Sequence, residues 1–486
     1  MIGWQEPIKG KRIYIAKDNS IVDDLIKYMK PDDRERLFIS YNDRRINLGI
    51  HYYNNHLYSS NFVGICRLKT FDNENIYDAE GNELIFKVIP RFDITVVQLL
   101  NYVREDDEFD RYMAPQTMSN RYQDKAIEAI DKNEIFYFFE NEKPLRVDDN
   151  ISSENSIITV TVFLTLLQLL CKRPLMGKML KEEGNLTGKI KGKIVIEKNI
   201  RRNTIHGRND RFYCRYLHFS DDIIENQILK AALRKAKRFI IQYFGKYSKD
   251  NNNYANIISY CSRVLRNVSD IQCSGTACSG LKFSGCYAYY KPVIEMARMV
   301  LDDISIESNG EVKTTGYIIP YAISMEKLFE IYVRTYLKKN GINSYKKQSE
   351  HGITLEKFDN KTDVFIEDEE LTDPGKYISG SIKPDIILTN NDTGETVVFD
   401  VKYKDYTNGN SRMDRLQLLA YSMMLNANNV GIILPAQLEM KIFDARRINS
   451  MERRVVKYHQ VLLGMEKDNP TIANYIKSST FETKDS

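Results

Sequence analysis

Histidine is scarce in this chain, six in 486 residues. None of the six falls in a His-Asn-His or His-Glu-x-x-His spacing, so a histidine-metal nuclease or a zinc protease is unsupported. The seven cysteines are odd in number and contain no Cys-x-x-Cys pair, which argues against a disulfide framework. Cys273-x4-Cys278-x7-Cys286, with Cys261 upstream, sits among serines and glycines and would suit a loop around an ion; free thiols in a reducing cytosol are the default reading. Long apolar runs are missing too. The longest, Val160 to Cys171, is interrupted by Gln168, is too short to span a bilayer, and reads as a buried helix. Met1 to Arg12 is polar and charged, so no signal peptide is expected and the expected location is the cytoplasm. Neither sign of charge dominates: 70 basic against 66 acidic residues leave +4, too mild to demonstrate DNA binding, although a local basic groove can hide inside it. Gly184-x-x-x-Gly188-Lys189-Ile190 is one residue short of a phosphate loop and has no Ser or Thr after the lysine. The chain is therefore expected to bind no nucleotide itself.

What is present divides into three regions. Residues 1 to 125 alternate short β-like runs with turns, among them Arg12 to Ile15 and Leu84 to Ile89, and end in an acidic connection, Arg104 to Asp110. Residues 126 to 305 are mainly helical, with helices over Ile157 to Leu180 (broken near Pro174) and Asp222 to Phe244, and one or two strands between Gly188 and Ile200. Arg201, Arg202 and Arg208 read as a solvated basic turn, with a phosphate or partner contact as the alternative. Residues 306 to 486 hold the most informative pattern.

In that last region Pro384-Asp385 is followed fifteen residues on by Asp400-Val401-Lys402. Ile386 to Leu388 is a short apolar run, Asn390 to Gly394 a turn cluster, and Thr396 to Tyr403 a second strand. Alternation puts Val397, Phe399, Val401 and Tyr403 on one face and Val398, Asp400 and Lys402 on the other. One face is then buried, and Asp400 and Lys402 point together from the opposite one, with Asp385 approaching across the hairpin. Anionic oxygens of this kind suit Mg²⁺ or Mn²⁺, and a lysine beside them can hold a water or offset charge building on a phosphate. A helix over Ala322 to Lys338 carries Met325, Leu328, Phe329, Tyr332, Val333 and Tyr336 as its apolar stripe, with Glu330 close enough to add a carboxylate. A second helix, Arg412 to Ala427, with Ser411 as its N-cap and Asp414 in its first turn, sets Gln417 and Tyr421 four apart on one face. Strand Val430 to Leu434 follows.

The order helix, hairpin, Gln-x-x-x-Tyr helix, strand resembles the core of the PD-(D/E)XK nucleases, in the RecB-type branch. Ser324-Met-Glu-Lys-Leu-Phe-Glu330 resembles the opening helix of the nuclease domain of the McrC family. Asn61 to Ile65, Glu83 to Pro90, Leu186 to Ile190, Cys214 and Asp222-x-x-x-Asn226 to Leu233 are similar to that family's N-terminal and middle regions, with Arg91 where the family often has lysine. The likeness runs from about residue 60 to residue 435. It implies an α+β chain: a β-rich N-terminal partner-binding region, a helical middle, and a C-terminal mixed sheet flanked by helices. It implies Mg²⁺-dependent hydrolysis of double-stranded, modified DNA, with Asp385, Asp400 and the Val401 carbonyl on the metal and Lys402 at the attacking water. Glu330 would orient water or join the ligands, while Gln417 and Tyr421 would brace the site or touch the DNA backbone. It also implies a McrB-like AAA+ GTPase ring as partner, and no membrane. A stand-alone RecB-type repair nuclease, active without nucleotide, and a non-catalytic binding module remain the alternatives.

Overall fold

The computed structural model describes residues 2–8, 10–39, 46–92, 95–103, 116–118, 135–139, 145–146, 149–244, 249–283, 287–306, 312–314, 317–318, 320–344, 353–355, 384–404, 412–436, 441–449, 455–464 and 470–479. The protein is a mixed α/β chain with two compact units, one of Met1–Glu142 with Pro320–Ser486 and one of Lys143–Ile319. The sequence suggests three consecutive regions; the contacts return the C-terminal part to the N-terminal part, because a strand just beyond the middle region completes the first sheet.

That first sheet contains β1 (Gly3–Trp4), β2 (Lys11–Lys17), β3 (Phe62–Arg67), β4 (Glu83–Ile89), β5 (Gln116–Met118), β6 (Phe136–Phe139) and β7 (Tyr321–Ser324), in the order β1-β2-β4-β3-β7-β6-β5. Every residue of β3 and β7 is buried, as expected of apolar strands covered on both faces. β7 lies antiparallel between β3 and β6. At that crossing a Cβ on Gly64 would stand 2.1 Å from the Tyr321 carbonyl oxygen, so only glycine permits the approach. The helix expected from Ala322 therefore starts later. Ala322 and Ile323 are ladder residues, and Ser324 caps α2 (Met325–Lys339) by accepting from the Lys327 amide. Helix α1 (Val96–Val103) packs on α2.

The second sheet of this unit has β8 (Asn343–Ser344), β9 (Ile353–Leu355), β10 (Ile386–Asn390), β11 (Thr396–Val401), β12 (Asn429–Pro435), β13 (Lys441–Asn449) and β14 (Val455–Leu463), ordered β8-β9-β10-β11-β12-β14-β13. β10 and β11 form the expected antiparallel hairpin, while β11, β12 and β14 run parallel. Helix α3 (Arg412–Met424) covers β11 and β12 through Val398, Leu418, Tyr421, Val430 and Ile432. Helix α4 (Thr471–Ser479) meets α2, the Ala473 amide donating to Tyr336 Oη. Alternation in β11 suggested one buried side. Instead Val397 through Val401 are all buried, because β11 is interior to the sheet. β11 also stops at Val401, so Lys402 and Tyr403 lie just past it.

His459 on β14 is fully buried, its Nδ1 2.9 Å from Tyr475 Oη and its Nε2 2.8 Å from Asn429 Oδ1. A neutral imidazole satisfies both contacts with one donor and one acceptor. Burial, helped by the charge of Lys457, pushes its pKa down from 6.5 to about 4. The unfolded chain then binds a proton that the folded chain refuses, so this contribution is complete above pH 6.5 and is lost as pH falls toward 4. Denaturant melts across that window should show roughly 3 kcal/mol of lost stability that His459→Gln does not share. Equal pH slopes in the two proteins would contradict this reading of His459.

In the other unit, helices Asp149–Cys171, Ile224–Phe244, Lys249–Val264 and Tyr290–Asp303 pack on one another. From Ile157 onward the first is mostly apolar and buries Val160, Phe163 and Leu167, as its composition suggests. It ends at Cys171, and Lys178–Thr187 is a strand rather than its continuation past Pro174; ten residues pair with Arg211–Ser220. Between them only Lys193–Ile194 is a strand, and Ile196–Arg202 is a short helix whose last turn carries exposed Arg201 and Arg202. Among the described residues Cys66, Cys171, Cys214, Cys261, Cys273 and Cys278 form no disulfide. No described helix is long and apolar enough to cross a membrane. The acidic stretch 104–110, Cys286 and Ser411 fall outside the described residues.

Candidate active site

The hairpin sets the spacing of the two aspartates. The ladder of β10 and β11 pairs Ile386 with Phe399, and the next step along both chains is Asp385 and Asp400. Directly opposite residues share a face. The two carboxyls lie within hydrogen-bonding reach of each other, and Asp385 Oδ2 also accepts from the Val401 amide at 2.8 Å. Asp400 is 1% exposed. Its Oδ2 is 2.7 Å from Lys402 Nζ, an ion pair, and no well-aligned hydrogen bond reaches that oxygen among the described residues. The Lys402 amide donates to the Ile433 carbonyl on β12 (3.0 Å), which holds the residue at the sheet's end.

Helix α2 brings three charged groups to the same place. Lys327, Glu330 and Arg334 fall at i, i+3 and i+7, one side of a helix. Lys327 Nζ is 2.6 Å from Glu330 Oε2, and Arg334 Nη1 donates to the Asp385 carbonyl at 2.9 Å. On α3, Gln417 Nε2 donates to Tyr421 Oη, and Asp414 pairs with Lys404 at 3.2 Å. Tyr421 is buried and feels the charge of Asp400.

Burying like charges side by side is costly, and the titration of these groups reflects it. Burial, followed by the neighbouring Asp400, holds the Asp385 carboxyl well above the ordinary range. Burial and the charge of Asp385 push Glu330 up to about 7, with Lys327 opposing. Burial alone would lower the two lysines; the carboxylates outweigh it, so Lys402 beside Asp400 and Lys327 beside Glu330 both rise.

A hard divalent cation suits this donor set: two abutting carboxylates, one with a buried oxygen that no well-aligned hydrogen bond reaches. Among the described residues no group of three or more His, Cys, Asp and Glu side chains is arranged around one point. A cation here would be held by Asp385 and Asp400 with a main-chain oxygen and water.

The structure thus brings together Asp385, Asp400 and Lys402, places Glu330 in their field but paired with Lys327, and sets Gln417 against Tyr421, whose ring lies near Asp400. Sequence reasoning missed Lys327 and Arg334. The available signal was their spacing around Glu330 inside an otherwise apolar helix stripe.

Residues 132–435 match the family described as McrBC 5-methylcytosine restriction system component. Among curated proteins none matches. One similar solved structure is the refined half-complex from the tetradecameric assembly of Thermococcus gammatolerans McrB AAA+ hexamers with bound McrC. It is 15% identical with a TM-score of 0.36, over 93% of this chain and 94% of that one. Another, the Thermococcus gammatolerans McrBC complex, is 14% identical with a TM-score of 0.28, over 68% of this chain and 89% of that one. Neither likeness is close enough to assign a fold, so membership rests on the family match, which takes in every residue of the site. The chain belongs to the McrBC 5-methylcytosine restriction system component family.

Proposed function

We propose that this chain is the Mg²⁺-dependent endonuclease subunit of a McrBC-like, modification-dependent restriction complex. In this reading it cuts double-stranded DNA and works with a McrB-like AAA+ GTPase ring. The observation that carries the reading is the buried pairing of Asp385 with Asp400, with Lys402 Nζ 2.7 Å from Asp400. Asp385, Asp400 and the Val401 carbonyl would hold Mg²⁺ (or Mn²⁺). When bound, the ion would supply Lewis acidity at the scissile phosphate and make a nucleophilic water available near neutral pH. Lys402 orients the attacking water and offsets the charge that grows on the phosphate oxygens. Glu330, whose carboxyl titrates near neutrality, orients that water and can take its proton. Lys327 and Arg334 fix Glu330 and the Asp385 main chain, and Gln417 with Tyr421 braces the site beside Asp400. The PD-(D/E)XK character of the site is part of this proposal, as is the division of labour in which the partner hydrolyses nucleotide and selects the modified base.

The test is cleavage of 5-methylcytosine-containing and unmodified plasmid with Mg²⁺, by the chain alone and with its AAA+ partner and GTP. Cutting of modified DNA should need partner, nucleotide and Asp400, and vanish in Asp400→Ala. Cleavage by the chain alone would instead make it an independent nuclease. Equal cleavage by Asp400→Ala would place the chemistry elsewhere.

A further inference from the structure

Strand β11 ends at Val401, yet the chain stays buried two residues further, at Tyr403. Past the ladder a buried carbonyl needs another donor. The Tyr403 carbonyl receives one from the first sheet: Arg91 Nη2 donates to it across 312 positions of sequence. Arg91 follows β4, and its amide donates to Oδ1 of Asp18, just past β2, at 2.6 Å. β2 and β4 are parallel neighbours with Lys17 opposite Ile89, so both anchors leave the sheet at the same strand ends. Asp18 is fully buried, and its amide donates to the Ile89 carbonyl at 3.0 Å.

Aromatic rings enclose this contact. The Arg91 guanidinium lies 4.8 Å from the Phe92 ring centre and 5.2 Å from that of Tyr403. Phe92 meets Tyr403 edge-on at 5.1 Å, and Tyr403 lies 6.0 Å from Phe329, the neighbour of Glu330 on α2. The Asp18 carboxyl and the Tyr403 hydroxyl are buried there within hydrogen-bonding reach of each other, beside the charge of Arg91. The ring contacts add little direction of their own; Asp18 reaches the Tyr403 side chain, and the charge-assisted bond from Arg91 is what holds its main chain.

We propose that Arg91 is a positioning residue for the candidate site: it fixes the chain directly after Lys402 and so keeps Lys402 and Asp400 aligned with Asp385. The first sheet is in this sense part of the frame of the site, and the strand ends at Asp18 and Arg91 set how firmly the end of β11 is held. Arginine suits the task because its planar, many-donor guanidinium holds the carbonyl while its flat face lies against the rings, a geometry a lysine ammonium reproduces only in part. The inference rests on the proposed function for its catalytic consequence, but not for its structural one.

Two readouts separate these parts. Hydrogen exchange in the metal-free full-length protein should be about tenfold faster at Val401–Lys404 in Arg91→Met than in wild type, and unchanged in β12. With partner, nucleotide and Mg²⁺, kcat should fall about 10- to 100-fold at unchanged KM for DNA, because a small misplacement of reacting groups costs rate rather than binding. Arg91→Lys should recover part of both losses. Exchange at Val401–Lys404 as slow as in wild type would overturn the proposal, and so would an intact kcat with only a lowered melting temperature. If Arg91→Met does not fold, Arg91→Lys measured against wild type decides in the same way. If wild type cuts no DNA, the proposed function fails while the exchange result still judges the contact.

Discussion

Replacing Asp385 with asparagine should lower DNA cleavage about 10³-fold or more, while leaving the metal-free protein at least as stable as wild type. The loss follows from removing one of two anionic groups that face a cation, a contribution of several kcal/mol to the barrier. The retained stability follows from the apo geometry. In Asp385→Asn the side-chain amide oxygen can still accept from the Val401 amide, and the main-chain carbonyl keeps the Arg334 bond. What disappears is the burden of two buried carboxyls side by side. Because the folded state raises the Asp385 pKa, it holds a proton that the unfolded chain releases near pH 4. Wild type therefore loses this stability as pH rises through the raised value, and Asp385→Asn does not. Thermal melts in EDTA should converge at low pH and separate in favour of the variant in mildly alkaline buffer. A variant that cuts normally, or melts well below wild type at every pH, would make Asp385 a structural carboxylate.

Gly431→Ala should damage both fold and activity, although it adds one methyl group at a residue with no side chain to offer the chemistry. Gly431 lies on β12 between Phe399 of β11 and His459 of β14. A Cβ there would stand 2.4 Å from Phe399 Cε1 and 2.8 Å from the His459 carbonyl oxygen. The carbonyl is main chain and cannot yield, so the fully buried Phe399 ring must move, and Phe399 immediately precedes Asp400. Overpacking of this kind costs roughly 1–3 kcal/mol, occasionally more. Displacing Asp400 by a fraction of an ångström should take about tenfold from kcat as well. Trimming the ring removes the nearest contact while the His459 carbonyl at 2.8 Å remains, so Gly431→Ala with Phe399→Leu ought to recover part of both losses relative to Gly431→Ala alone. Additive losses in the double variant would show that Phe399 does not use the space above Gly431.

Much of the site was legible because it is local. Asp385, the Asn390–Gly394 turn and Asp400 lie on one hairpin, so alternation and turn chemistry fix their register without knowledge of the rest. Gln417 and Tyr421 were legible for the same reason, four apart on one helix. Glu330 stood out as a charge beside an apolar stripe. The unread parts depend on distant partners. Ala322 and Ile323 suit a helix as well as a strand, and β3 and β6, far upstream in the chain, decide for strand. The strand Lys178–Thr187 was hidden behind an apolar helix, and its pairing with Arg211–Ser220 is what draws it out. The burial of both faces of β11 needed the interior sheet position, which alternation does not report. Arg91 reaches Tyr403 across 312 residues, and no periodicity carries such a contact.

Whether Asp385 and Asp400 hold a divalent cation is read directly from a crystal of the wild-type protein soaked in Mn²⁺, with anomalous scattering measured in parallel for Asp400→Asn. A peak is expected about 2.1 Å from carboxylate oxygens of both Asp385 and Asp400, within reach of the Val401 carbonyl and absent in the variant. A wild-type site without Mn²⁺, or a peak unaffected by Asp400→Asn, would contradict that expectation.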